Sequence, residues 1–346
     1  MTGTTVTQAT DPAADAASLL NLIAGGAMTQ IVHAVAALNI ADHLAGEPRT
    51  AKEVAAREGS NERTTFRLMR AAASLGLLSY EGEGRFGLTG MGGLLRSDTP
   101  VSLRPMALVQ AAPSHWQPWG LFPEAVRKGE SQAGKALGAD IFDYFARPEN
   151  AETARIFSEA MGGMSAMVTQ GVVAGADLEG VSTVIDVGGA DGHLVLALME
   201  ARPELRGQVL DLPHAVEGAV EEAARRGLSD RFSGAAGDFF AEVPTADLHV
   251  LKTVLHDWDD DRALRILRNC RAAAGEGGRA LVVEMVLKEV GTSDFATISD
   301  MAMLCVTGGV ERDLDEFDAL FTAAGWSRGR TYPVGGGHFG MELRAV

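Results

Sequence analysis

Apolar residues recur at helical spacing between Leu19 and Ala45: Leu19, Leu20, Ile23, Met28, Ile31, Val32, Val35 and Leu38. That spacing predicts a helix. Its exposed faces are too apolar for a lone helix, so burial against a partner is expected. Ahead of it, Met1 to Ala17 is polar and reads as a loose tail. Thr50-Ala51-Lys52-Glu53 carries the Thr-x-x-Glu pattern of a capping box and starts a second helix. A third helix follows Ser60-Asn61 and carries Phe66, Leu68 and Met69. Ser79 to Leu88 reads as two short strands around a Gly turn. From about residue 105 to 170 the pattern is helical again, with Trp116, Trp119, Phe142, Tyr144, Phe145 and Phe157 as its aromatic supply.

Near residue 170 the pattern changes. Thr183–Val187, Gln208–Leu212, Leu248–Lys252 and Ala280–Glu284 are short apolar runs, and helical patterns lie between them, as at Ala215–Arg226 and Asp260–Ala274. Alternation of this kind means βα units and a mainly parallel sheet. Arg330–Val334 and His338–Leu343 can pair around Gly335-Gly336-Gly337 as a terminal hairpin. The helix, helix, hairpin order of the first half is the outline of a winged helix.

Composition narrows the class. The 346 residues are 46% hydrophobic and 22% charged, which excludes a collagen-like or largely disordered chain. Two isolated cysteines, Cys270 and Cys305, exclude a disulfide scaffold and a four-thiolate zinc site, and fit a reducing, cytoplasmic setting. No basic segment precedes an apolar run at the N-terminus, so no signal peptide is read. Leu19–Leu44 is interrupted by Asn21, Gly25, Gly26, Gln30 and His33, which argues against a membrane span. The net charge of −16 opposes general nucleic-acid binding. Arg63, Arg67 and Arg70 share a helical face, the one feature favouring a DNA-binding regulator. Glu53, Glu58, Glu62, Glu81 and Glu83 lie close by, so no phosphate-binding patch emerges.

In open α/β sheets, ligands bind beyond the carboxyl ends of the strands. Three such ends carry polar residues. The first is Asp186-Val187-Gly188-Gly189-Ala190-Asp191-Gly192, the second is Asp211, and the third is Gly237-Asp238-Phe239-Phe240. A Gly-rich turn lets a ligand approach the backbone. An acid at the second strand end can accept both ribose hydroxyls. An Asp-aromatic pair can bond an adenine amino group and cover its face. The glycine spacing is not G-x-G-x-x-G, and Asp191 would repel a pyrophosphate. A cationic nucleoside fits better: S-adenosylmethionine has a sulfonium, an ammonium, a ribose and an adenine.

The fourth strand runs into Lys252-Thr253-Val254-Leu255-His256-Asp257-Trp258-Asp259-Asp260. His256 lies just past a strand end on the ligand side, where Glu284 and Glu311 can converge on it. A phenol has a pKa of about 10 and is mostly protonated near neutrality, whereas a neutral imidazole can take its proton. A carboxylate on the other ring nitrogen fixes the tautomer. Such help is worth about 10²–10⁴-fold, and holding oxygen and methyl in line supplies the rest. Asp257, Asp259 and Asp260 crowd the same loop, which raises a metal reading. Asp259 and Asp260 are more simply a helix cap and first-turn charge, so no metal is expected.

On these motifs the chain resembles the plant-type and actinobacterial small-molecule O-methyltransferases, over nearly its whole length. The motifs are Asp186-Val187-Gly188-Gly189-x-x-Gly192, Gly237-Asp238-Phe239-Phe240 and Leu255-His256-Asp257-Trp258-Asp259-Asp260. The resemblance implies a Rossmann-like S-adenosylmethionine-binding α/β domain with a C-terminal antiparallel hairpin. It also implies an N-terminal, mainly helical, winged-helix-like domain that makes a homodimer. Residues 1–105 are expected to form the dimerisation domain, 106–170 a helical connector contributing to the substrate pocket, and 171–346 the catalytic domain. By the same resemblance Asp186 and Gly188 belong to the cofactor turn, Asp211 holds ribose, Asp238 and Phe239 flank adenine, and Lys252 contacts the cofactor. His256 matches the general base, and Glu284 and Glu311 the acids that orient it. Alanine at position 190, where the family usually has glycine, and His193 are departures. Phe157, Met161 and Met164 fall at helical spacing, as do Asp300, Met303 and Leu304. The resemblance sets such residues, with Asp257, against a small aromatic acceptor; ordinary core packing is the other reading. Trp116 and Trp119 wall either that pocket or the dimer seam. Some relatives hydroxylate or decarboxylate instead, often with the His replaced. With His256 and both acids present, methyl transfer leads, giving S-adenosyl-L-homocysteine as product.

Overall fold

The computed structural model describes residues 11–99 and 102–346. Residues 1–10 of the N-terminal tail lie outside the described residues, as do the side chains of Met164, Met167 and His214. The chain forms two compact units. One runs up to Trp116 and includes Arg155–Ala160; the other comprises Gln117–Ala154 and Met161–Val346.

In the first unit the N-terminal pattern forms three helices rather than one: Pro12–Ile23, Gly25–Ala37 and Ile40–His43. The first two meet at a 45° bend. Gly25-Gly26 makes the bend cheap, and the second break falls at Asn39, whose φ is 48°, a left-handed conformation asparagine tolerates. Residues 12–17 are helical, not a loose tail. Asp11 accepts a hydrogen bond from Ala13 N and Pro12 occupies the first turn, so the helix is capped where the sequence looked merely polar. The capping box forms: Thr50 Oγ1 accepts from Glu53 N at 3.3 Å, and Glu53 accepts from Thr50 N at 2.7 Å. Helices Ala51–Glu58 and Glu62–Ser74 follow, then strands β2 (Leu78–Gly82) and β3 (Arg85–Leu88). A two-residue strand, β1 (Arg49–Thr50), pairs with β3 and completes a small sheet in the order β1-β3-β2. Val35, Ile40, Val54, Met69 and Phe86 fill this core. The helix Pro12–Ile23 buries no residue.

In the second unit a seven-stranded sheet has the order β6-β5-β4-β7-β8-β10-β9. The strands are β4 (Thr183–Val187), β5 (Arg206–Asp211), β6 (Phe232–Ala236), β7 (Leu248–Lys252), β8 (Arg279–Met285), β9 (Trp326–Gly335) and β10 (His338–Ala345). The first five are parallel, and β10 runs antiparallel to β8 and β9. Both faces of the sheet are covered, which is why its central strands read as unbroken apolar runs. Ile266, Leu267, Phe317 and Phe321 pack on one face, and Val172, Leu194 and Leu198 on the other. The chain starts at β4 and winds outward both ways, so β4 and β7 meet at the switch point where such sheets bind ligands. Among the described residues no single helix is long and apolar enough to cross a membrane.

Candidate active site

The turn after β4 is built from close approaches. Gly188, at φ 72°, donates its N–H to Leu210 O. A Cβ there would lie 2.9 Å from Val254 and 3.5 Å from Phe239, so only glycine lets three strand ends crowd together. Asp186 is 1% exposed, and its oxygens accept no hydrogen bond of good geometry. Burial raises its pKa to about 6, opposed by the charge of Lys252 at the end of β7. Asp211 braces the turn, accepting from Ala190 N at 2.8 Å and Leu212 N at 2.7 Å. Asp238 is exposed and accepts from Phe240 N, while Phe239 and Phe240 stand edge to face at 4.9 Å.

The two departures from the family pattern, Ala190 and His193, both shape this turn. Ala190 adopts φ 48°, the left-handed conformation that the absent third glycine would take freely. Asp191 Oδ2 lies 2.8 Å from His193 Nδ1. This contact raises the histidine's pKa and, against burial, lowers the aspartate's. Trp258 packs edge-on to Phe240 at 4.8 Å and stacks on Phe142 at 6.0 Å.

The second cluster lies one residue beyond Val254. Leu255–Asp257 is a single 3₁₀ turn. Glu284 Oε1, from β8, accepts from Val254 N at 3.0 Å and Leu255 N at 2.8 Å. Its Oε2 stands 3.8 Å from His256 Nδ1. Glu311 makes the closer contact: His256 Nδ1 donates to its Oε1 at 3.2 Å, and Ser299 donates to the same oxygen at 2.8 Å. Asp300 accepts from Glu311 N at 3.0 Å. Both glutamates are buried, and each leaves Oε2 without a partner. His256 Nε2, on the far side of the ring, lies 3.8 Å from Asp257 Oδ1, and the side chain is 17% exposed. Burial alone would depress His256; Glu284, Asp257 and Glu311 outweigh it and push it up to about 10. Burial lifts Glu284 to about 7 against the pull of His256, whereas bonding to His256 and Ser299 keeps Glu311 low despite burial. The donor atoms of His256, Glu284 and Glu311 lie within 4.8 Å of one another, a spacing a divalent ion could bridge. The backbone and imidazole bonds just described account for that spacing equally.

Strain accompanies the turn. Thr253, a β-branched residue, sits at φ 53°, a rare conformation that marks functional segments. Met161 is 37% exposed on the helix Ala151–Gly175, and Met303 is half-buried on the helix Phe295–Val306. Met164 lies on the former helix, its side chain outside those described. Trp116 and Phe157 belong to the first unit. There Trp116 closes over Gly26, and the Phe157 ring lies tilted by 30° against the buried His115 at 5.8 Å.

Residues 119–327 match the O-methyltransferase domain family, and residues 20–98 match the O-methyltransferase dimerisation domain. The chain is 38% identical to the phenazine O-methyltransferase PhzM of Lysobacter antibioticus, covering 95% of this chain and 96% of that one. It superposes on the structure of the mitomycin 7-O-methyltransferase MmcR with a TM-score of 0.91 at 33% identity, covering 96% and 98% of the two chains. It also resembles an O-methyltransferase from neocarzinostatin biosynthesis, NcsB1, solved with S-adenosylmethionine and a hydroxynaphthoic acid. There the TM-score is 0.81 at 32% identity, with coverage of 92% and 96%.

Proposed function

The chain belongs to the O-methyltransferase family that joins a dimerisation domain to a S-adenosylmethionine-dependent catalytic domain; we propose that it methylates a hydroxyl of a small aromatic metabolite, with His256 as general base. The acceptor class follows its relatives, which are named for phenazine, mitomycin and naphthoate chemistry.

The turn after β4 fits the cofactor. A Cβ at Gly188 would close the approach, and Asp186, Asp191, Asp211 and Asp238 make an acidic surround suited to a cationic nucleoside. S-adenosylmethionine supplies an electrophilic methyl group on its sulfonium. In this reading Asp211 takes the ribose hydroxyls, Asp238 and Phe239 the adenine, and Asp186, Gly188 and Lys252 line the turn.

The observation that carries the base assignment is the asymmetry of the imidazole. Nδ1 is committed to Glu311, which fixes the tautomer of the neutral ring and leaves Nε2 as its acceptor, with Asp257 3.8 Å away. Glu284 acts one step removed: it holds the backbone of Val254 and Leu255, so the turn presents His256 at a fixed height. Met161 and Met303 offer polarisable surface to an aromatic ring. Asp257 and Asp300 complete the acceptor side.

His256→Ala is expected to leave cofactor affinity nearly unchanged and to cut methyl transfer by about 10²-fold or more. The measurement is a mass-spectrometric turnover assay on phenols, hydroxyquinones and hydroxynaphthoates. A methyl gained by wild type and equally by the mutant removes His256 from the chemistry. Gain of oxygen or loss of carbon dioxide moves the protein to a different reaction on the same scaffold.

A further inference from the structure

Arg312 is 1% exposed, next in sequence to Glu311. A guanidinium has five N–H donors and does not shed its charge in proteins, so each donor must find an acceptor when buried. All five do. Nε donates to Asp260 Oδ1 at 3.0 Å, and Nη2 donates to the same oxygen at 2.8 Å and to Trp258 O at 2.9 Å. Nη1 donates to Leu255 O at 3.1 Å and to Val310 O at 3.3 Å.

Three of these four acceptors come from the short segment 255–260, on both sides of His256. The arginine's own backbone is fixed elsewhere: its carbonyl accepts from Leu287 N at 3.0 Å, and it bridges to Val286, two residues past Glu284. A second tie runs beside it. Val310 N donates to His256 O at 2.8 Å, across an approach so close that a Cβ on Gly309 would stand 2.0 Å from that carbonyl. Segment 309–312 therefore carries both the acid that meets Nδ1 and the clamp that holds the turn bearing the imidazole.

Resting on the base assignment above, we propose that Arg312 is a positioning residue for methyl transfer: its guanidinium fixes the 255–260 turn against β8 and so sets where His256 Nε2 meets the acceptor. A general base works within hydrogen-bond reach of its proton, and a misplacement of 1 Å can cost about 10²-fold. The clamp touches neither the turn after β4 nor Asp211 and reaches the adenine flank only through Trp258, whose ring meets Phe239 edge-on at 6.2 Å, so its loss falls mainly on kcat.

The test compares wild type, Arg312→Met, Arg312→Lys, Asp260→Ala and His256→Ala in the full-length protein. S-adenosylmethionine titration calorimetry gives affinity and binding stoichiometry, and methyl transfer gives kcat. Arg312→Met is expected to lose about 10²-fold in kcat with stoichiometry intact and cofactor Kd within about twofold. Arg312→Lys, which keeps the charge but not the fork, should recover part of the loss. Asp260 is exposed and supplies the acceptor for two of the five bonds, so Asp260→Ala should lose less, about 3- to 10-fold in kcat. Wild-type kcat in Arg312→Met with full stoichiometry overturns the proposal. If Arg312→Met does not bind cofactor, wild-type kcat in both Arg312→Lys and Asp260→Ala overturns it. Activity retained in His256→Ala overturns the base assignment instead, and with it any positioning role for Arg312.

Discussion

A base must be neutral to accept a proton, and the three carboxylates around His256 favour its charged form. With the imidazole pushed up to about 10, the neutral fraction, and therefore kcat, grows as pH rises. The acid limb of kcat should have its midpoint above the ordinary imidazole value of about 6.5, moderated by the positive charge of the bound cofactor. A phenol acceptor ionising near 10 would give a limb of the same sign, so one variant separates them. Glu311→Gln removes a charge in direct contact with Nδ1 and should move the limb down by about 1–3 pH units. A kcat–pH profile at saturating substrates reads this; a limb that stays put in Glu311→Gln belongs to the acceptor. At this scale the sequence shows which side chains are chemically apt, because most of them lie at strand ends; Glu311, in the loop before the helix Leu314–Ala323, does not. It does not show that Glu311, rather than Glu284, makes the direct contact. It also hides Arg312, three of whose four acceptors lie 52 to 57 residues away and leave no local pattern.

The turn between β4 and the helix His193–Ala201 shows how one element settles competing demands. Gly188 and Gly192 take positive φ without cost, and Ala190 takes it at a steric cost of about 1–2 kcal/mol. Its N–H must point at Asp211 to hold the turn closed, so the strained conformation persists. Ala190→Gly should relieve that strain, offset in part by the greater freedom glycine loses on folding. The expected result is a Tm raised by a few degrees, with cofactor affinity within about threefold, read by thermal unfolding and calorimetry. A lower Tm would mean that the methyl group packs more usefully than it strains. The βα alternation was legible because parallel strands buried on both faces are short, apolar and bounded by polar ends. The N-terminal helices were legible in type and not in extent. Their breaks rest on a Gly pair and one left-handed asparagine, and β1 is two residues without alternation.

Across the whole molecule two quantities oppose each other. Each chain carries a net charge of −16, so like protomers repel. Against this, Leu19, Leu20, Leu22 and Ile23 stand 58–78% exposed on a helix that buries nothing within its own chain. Full burial of such side chains contributes about 1.5–3 kcal/mol each, enough that four of them from each protomer outweigh much of the cost of association. The dimerisation domain begins at residue 20, within this cluster. Repulsion between the chains is screened beyond about 8 Å at physiological salt, whereas apolar burial is not. The dimer should therefore tighten as salt rises from about 10 to 150 mM, which light scattering across a dilution series can measure. Replacing Leu19 and Ile23 with glutamate should shift the protein to monomer at micromolar concentration. Calorimetry on that monomer would then show whether one chain alone still binds S-adenosylmethionine. A variant that remains dimeric, with wild-type dilution behaviour, would show that the helix Pro12–Ile23 lies outside the interface and that its apolar face has another role.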